Sequence, residues 1–187
     1  MVPEIIFELI LMAIGIYLAQ TFNVYWPLII PAFGMLFFIS SFYTFYWAPF
    51  VPSNKSRVKT MLEISNIKKG ERVYDLGAGD GKIVDAATML GAKATGFEIS
   101  IPLVLYYYLR RMIGISRGEL LWGNFFKKNI SDADVVFCYL FPHTMNRFHQ
   151  TIYKQLKPGT RIVSNAFEIT ELVPAKKINE VYLYIVN

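Results

Sequence analysis

One cysteine (Cys138) and two histidines (His143 and His149) are all the thiol and imidazole chemistry available to this 187-residue chain. A single thiol closes no internal disulfide and builds no Cys-rich zinc site, so a disulfide scaffold and a zinc module of that kind are both excluded. The histidines stand six apart, a spacing that does not place both on one helix face. No Ser–His–Asp pattern accompanies them, and no metal is expected. Charge is scarce as well, at 18% of residues against about 25% in ordinary soluble domains. It is missing altogether from residues 9–54, and no Lys or Arg precedes Lys55. Without basic residues ahead of the apolar run, that run does not read as a secretory signal or as an Arg-rich presequence.

What fills the uncharged stretch is apolar. A membrane-crossing helix takes about 20 such residues, so two helices and a turn fit the space. The first is expected from Pro3 to Phe22 and the second from the Pro27 region to about Trp47, with Pro49 and Pro52 as its stop. Tyr25, Trp26, Tyr43, Tyr46 and Trp47 fall where interfacial aromatics gather, and Lys55, Arg57 and Lys59 follow at once. The expectation is therefore a transmembrane helical hairpin over 1–50, with the first segment lying in the interface as the alternative. A domain over 51–187 follows it. By the positive-inside rule that domain lies in the cytoplasm as part of a multi-pass cell-membrane protein, with membrane lipids as partners, and with no organelle address visible the expected membrane is a prokaryotic cell membrane. Residues 51–187 carry 19 basic and 12 acidic side chains, a net +7, which suits an acidic membrane surface.

Past residue 55 the hydrophobic pattern alternates between strand and helix. Strands are expected at 72–76, 93–98, 119–122, 134–140 and 161–165. Helices are expected at 56–64, 82–89, 102–113 and 143–156, and a closing hairpin ends the chain. Such alternation implies right-handed crossovers and a largely parallel α/β sheet with helices on both faces. The helix from Ile101 is apolar nearly all round, with its outer face expected against lipid or the hairpin and Arg110 and Arg111 at headgroups, an unusually apolar core helix being the alternative.

The first strand ends in Asp75-Leu-Gly77-Ala-Gly79-Asp80-Gly81 and runs straight into a helix. Glycines there let the backbone approach a ligand, and the helix start offers unpaired N–H groups. Nineteen residues after Gly79 the second strand ends in Glu98, an acid placed to accept hydrogen bonds from ribose hydroxyls. The dinucleotide pattern G-x-G-x-x-G fails here, because the third glycine comes one residue early and Lys82 takes its place.

D-x-G-x-G-x-G instead resembles motif I of the class I S-adenosylmethionine-dependent methyltransferases. That resemblance implies a Rossmann-like sheet and S-adenosyl-L-methionine as cofactor. It places Asp75, Gly77, Gly79 and Asp80 at the cofactor's amino-acid end and Glu98 on its ribose. Asn124 stands where that superfamily commonly has an acid touching the adenine amino group; an amide also pairs with adenine. Phe125 beside it either covers the adenine or fills core.

The segments Pro49-Phe-Val-Pro52, Val73 to Val84 and Gly96 to Tyr106 look like the mitochondrial ATP synthase c-subunit lysine methyltransferase family. Phe141-Pro142-His143-Thr-Met145 falls where that family has Val-Pro-x-Met. Lys157 to Phe167 is similar to the fifth strand of archaeal broad-specificity protein lysine methyltransferases. The implied activity is a membrane-anchored protein lysine N-methyltransferase, whose partner is a protein with an accessible lysine. A lysine nucleophile must be neutral, and an apolar aromatic mouth lowers its pKa from about 10.4. The ends of the fourth and fifth strands supply candidates for that mouth. Tyr139 or Asn165 would orient the amine, Tyr139, Phe141 and Phe167 would be walls, and Phe141, Pro142 and His143 would face the substrate. The alternatives are sheet core for Tyr139 and a solvated helix start for His143. At the level of function they are a methyltransferase for a lipid, quinone or other hydrophobic small molecule and a non-catalytic cofactor-binding factor. Nucleic acid is not expected as a partner, since Leu140-Phe-Pro-His replaces the Asp/Asn-Pro-Pro-aromatic segment of nucleic-acid amino methyltransferases.

Overall fold

The computed structural model describes residues 54–187 together with residues 10, 12–17, 20, 21, 31, 34 and 35. The chain divides into two units, Met1–Val51 and Pro52–Asn187. The described residues of the first are helical, and the Thr21 hydroxyl donates to the Tyr17 carbonyl at 2.8 Å. The expected transmembrane hairpin over 1–50 is corrected here: among the described residues no helix is long and apolar enough to cross a membrane. The multi-pass placement with a cytoplasmic domain falls with it, and the lipid partners inferred from the hairpin lose that ground. An uncharged composition is necessary for a span but not sufficient, because crossing also needs an unbroken helix of about 20 residues. The other positions of that stretch lie outside the described residues.

The second unit begins with helix α1 (Lys55–Ser65), whose start is fixed by Asn54: its side-chain oxygen accepts the Arg57 N–H at 2.8 Å. The elements that follow are β1 (Arg72–Leu76), α2 (Lys82–Met89), β2 (Lys93–Glu98), α3 (Ile101–Met112) and β3 (Glu119–Trp122). After them come β4 (Val135–Cys138), α4 (Pro142–Thr151), β5 (Arg161–Asn165), β6 (Lys176–Ile178) and β7 (Val181–Ile185). Two elements are shorter than the pattern predicts. Strand β4 stops at Cys138, level with Leu76 of β1 and Ser164 of β5, because its β1 neighbour turns away there into the glycines. Helix α4 ends at Thr151 and tightens into a 3₁₀ turn, Tyr153–Gln155, ahead of Lys157-Pro158, a dipeptide that resists helix.

The seven strands run in the order β3-β2-β1-β4-β5-β7-β6. The first five are parallel, and the closing hairpin adds β7 antiparallel to β5 with β6 outside it. Alternate side chains of the sheet feed two cores, as two-sided burial demands. On one face Met61 and Ile64 of α1, Val84 and Ala87 of α2 and Tyr107 of α3 close over Val73, Phe137 and Val163. On the other, Met145 and Phe148 of α4 close over Leu76, Val136 and Ile162. Strand order reverses between β1 and β4, so the crevice outside their carboxyl ends is the topological switch point, where sheets of this type hold ligands.

Candidate active site

Gly77, Gly79 and Gly81 follow β1 with φ of +78°, +56° and +76°. The alternation turns the chain sharply into α2, a helix whose first turn has no side-chain cap. Strand β2 fixes the turn from the side: the N–H groups of Gly77 and Ala78 both donate to the Phe97 carbonyl at 3.0 Å. Gly81 is required on two counts. Its φ is left-handed, and a Cβ there would lie 2.4 Å from the Tyr107 ring. Gly81→Ala is expected to lower folding stability by about 2–5 kcal/mol, the sum of left-handed strain and overpacking, read as a reduced midpoint in urea denaturation.

Asp75 lies on the sheet face shared with α1 and α2 and is 6% exposed. Among the described residues no donor reaches its carboxylate. Burial first, then the nearby Glu98 and Asp80 carboxylates, push its pKa up to about 8. A buried carboxyl with no donor among the described residues, at the open end of a switch-point crevice, fits a ligand that brings a cation or N–H donors.

Glu98, 8% exposed, is differently provided for. One carboxylate oxygen accepts the Gly79 N–H at 2.8 Å, and the other accepts the Ile99 and Ser100 N–H groups, each at 2.8 Å. It thereby ties the glycine turn to the start of α3 and keeps acceptor capacity on the first oxygen. The expected cluster of Asp75, Gly77, Gly79 and Glu98 is thus brought together at one place. Asp80 sits in the same turn, its carboxylate 2.7 Å from Lys82 Nζ.

Asn124 caps the 3₁₀ turn Phe125–Lys127, its side-chain oxygen accepting the Phe126 N–H at 2.9 Å. Phe125 is half-buried, 4.3 Å from the Phe126 ring and packed on the α4-side core, so core filling accounts for part of its surface.

At the ends of β4 and β5 three rings meet. Phe167 lies 6.3 Å from Tyr139 and 5.8 Å from Phe141, centroid to centroid. A left-handed Ala166 and the Ser164 hydroxyl, which donates to the Phe167 carbonyl, set the turn that presents Phe167. Tyr139 is half-buried, so it is not pure sheet core. Pro142 opens α4 with His143 next to it, both exposed, as a solvated helix start requires. Asn165 is fully buried, and its side-chain oxygen accepts from Arg57 Nη1 at 3.0 Å, while the same guanidinium pairs with Glu180. Sequence reading missed Arg57, because 108 positions separate it from Asn165 and no local pattern links them. Cys138 is buried, its thiol pushed up to about 12 by desolvation, as befits a small core residue.

Comparison with known proteins adds to this geometry. The family model described as the ANTKMT methyltransferase domain matches residues 75–176. A protein-lysine N-methyltransferase of Saccharolobus islandicus is 35% identical over 151 residues, covering 74% of this chain and 94% of that protein. The ATP synthase c-subunit lysine N-methyltransferase of Xenopus laevis is 28% identical over 67% of this chain, which spans 56% of that relative's length. Among solved structures, an RNA methyltransferase from Salinibacter ruber in complex with S-adenosyl-L-homocysteine superposes with a TM-score of 0.68 at 33% identity. That match covers 73% of this chain and 94% of the other.

Proposed function

The chain belongs to the ANTKMT methyltransferase domain family, and from that premise we propose that it is an S-adenosylmethionine-dependent methyltransferase acting on the ε-amino group of a protein lysine. The observation that carries the cofactor is the Asp75 carboxyl, buried beside a glycine turn and with no donor among the described residues. The cofactor's α-ammonium and sulfonium are the cations such a group would meet. Asp75, Gly77 and Gly79 would hold its amino-acid end and Glu98 its ribose, with Asn124 and Phe125 at the adenine. Bound there, S-adenosylmethionine supplies an electrophilic methyl group.

The chain's own part is to bring an amine to that methyl in neutral form. Tyr139, Phe141 and Phe167 give the approach an aromatic lining that disfavours the charged ammonium by desolvation. The same ring faces tolerate a methylated ammonium through cation–π attraction. The Tyr139 hydroxyl is the acceptor we assign to an amine N–H. Asn165 supports the end of β5, since its side-chain oxygen already accepts from Arg57. The 35% identity to a protein-lysine N-methyltransferase supports lysine as the acceptor, whereas the likeness to the Salinibacter RNA methyltransferase favours RNA as a second reading.

Radiolabelled S-adenosylmethionine, incubated with the full chain and an extract of its own cells, separates these readings. Label is expected in protein, at lysine by mass spectrometry; label confined to RNA or to the lipid fraction would overturn the assignment. Phe167→Ala is expected to lower kcat/KM for the protein acceptor roughly tenfold. Its S-adenosylhomocysteine Kd should stay within about twofold of wild type by calorimetry, since the ring lines the amine's approach and not the cofactor's cradle.

A further inference from the structure

Arg110 lies outside the expected site, and sequence pattern assigned it to a lipid headgroup. Its guanidinium instead turns back into the protein. Nη1 donates to the Asp80 carbonyl at 2.9 Å, and Nη2 lies 3.3 Å from Asp85 Oδ2. Both side chains are sheltered, at 19% and 13% exposure, so solvent screens the pair only in part.

Three of the five residues of the turn over 77–81 are glycines, and its packed side chain is the methyl of Ala78, buried in the core. Among the described residues two side chains bond to that backbone: Glu98 at the Gly79 N–H and Arg110 at the Asp80 carbonyl. Asp85 is anchored in turn by the Tyr107 hydroxyl at 3.0 Å, the Ser116 hydroxyl at 2.9 Å and the Arg117 N–H at 2.9 Å. Tyr107 and Arg110 share one face of α3, three residues apart, and the Tyr107 ring is what a Gly81 Cβ would strike. Helix α3 therefore braces the turn from the side through a ring and a charged fork.

We propose that Arg110 is a positioning residue: braced by Asp85, it holds the Asp80 peptide so that the 77–81 turn keeps the shape that receives the cofactor's amino-acid end. This rests on the cofactor reading above. The division of labour follows from chemistry. Glu98 is shared between the turn and the ribose, whereas Arg110 reaches the turn alone, so its loss should be felt where the amino-acid part of the ligand sits. A planar fork reaches a carboxylate and a carbonyl at once, and a lysine ammonium on one stem does so less well.

The test compares two ligands by calorimetry: S-adenosylhomocysteine, and 5′-methylthioadenosine, which keeps the nucleoside and thioether but lacks the amino-acid part. Arg110→Met is expected to weaken S-adenosylhomocysteine about tenfold and 5′-methylthioadenosine less than about twofold, in line with the loss of one charge-assisted contact to the turn. Arg110→Lys should recover part of the loss. Ser116→Ala removes a partner of Asp85 without touching the turn and should leave the ratio of the two Kd values as in wild type. A merely structural role would weaken both ligands together. An unchanged ratio in Arg110→Met overturns the proposal, and if that variant does not fold, an unchanged ratio in Arg110→Lys does so. Failure of the wild-type chain to bind S-adenosylhomocysteine would instead overturn the cofactor reading.

Discussion

Glu98→Gln is expected to abolish cofactor binding, with the Kd for S-adenosylhomocysteine raised by roughly 100-fold or more in calorimetry. The expected loss is larger than one ribose contact because the carboxylate performs two tasks. Its three accepted N–H bonds fix the glycine turn and the two residues that lead into α3, and its remaining acceptor capacity is what a ribose hydroxyl would use. A glutamine amide keeps one oxygen and puts two N–H donors where the other stood, so at least one buried backbone N–H faces another donor. An unsatisfied buried group of that kind costs about 1–3 kcal/mol, and the turn shifts to relieve it. The variant should accordingly be less stable in urea as well as unable to bind. Normal cofactor affinity in a folded Glu98→Gln protein would remove Glu98 from the site.

The second large effect concerns pH. With its pKa raised to about 8, Asp75 is mostly protonated at neutral pH while the site is empty. A cationic ligand beside it favours the ionised form, so binding below about pH 8 releases a proton. Affinity for S-adenosylmethionine should then rise with pH up to about 8, by as much as about tenfold per pH unit. Calorimetric enthalpies in buffers of different ionisation heat read the proton directly. In the ligand-free protein the sign is opposite. Between the ordinary value of 3.8 and about 8 the folded state holds a proton that the unfolded state has lost. Stability therefore falls as pH rises through that window and levels off above it. Asp75→Asn should flatten both dependences, stabilise the empty protein above neutral pH and weaken the cofactor severely. A wild-type enthalpy independent of buffer would show that Asp75 does not change its proton on binding.

Local information suffices over much of the second unit. The bounds of β1, α2, β2, β3 and β5 are legible to the residue, because hydrophobic period and flanking Gly, Asn and Pro act within a few positions. The Asp75–Gly81 turn and Glu98 are legible for a related reason. A glycine turn after one strand and an acid closing the next fall at the same end of a parallel sheet. The uncharged stretch of residues 9–54 misled, because composition states a preference of solvent and not the length of a helix.

What the chain by itself determined, then, was the succession of elements and the cradle after β1, since both follow from torsional and periodic preferences of neighbouring residues. Which distant groups meet was decided only by the tertiary structure. Arg57 reaches Asn165, Arg110 turns from its expected outward place to Asp85 and Asp80, and Phe167 joins Tyr139 and Phe141. Each pairing exists because sheet order and helix packing carry remote positions to within hydrogen-bonding or ring-contact distance, and no spacing along the chain encodes that distance.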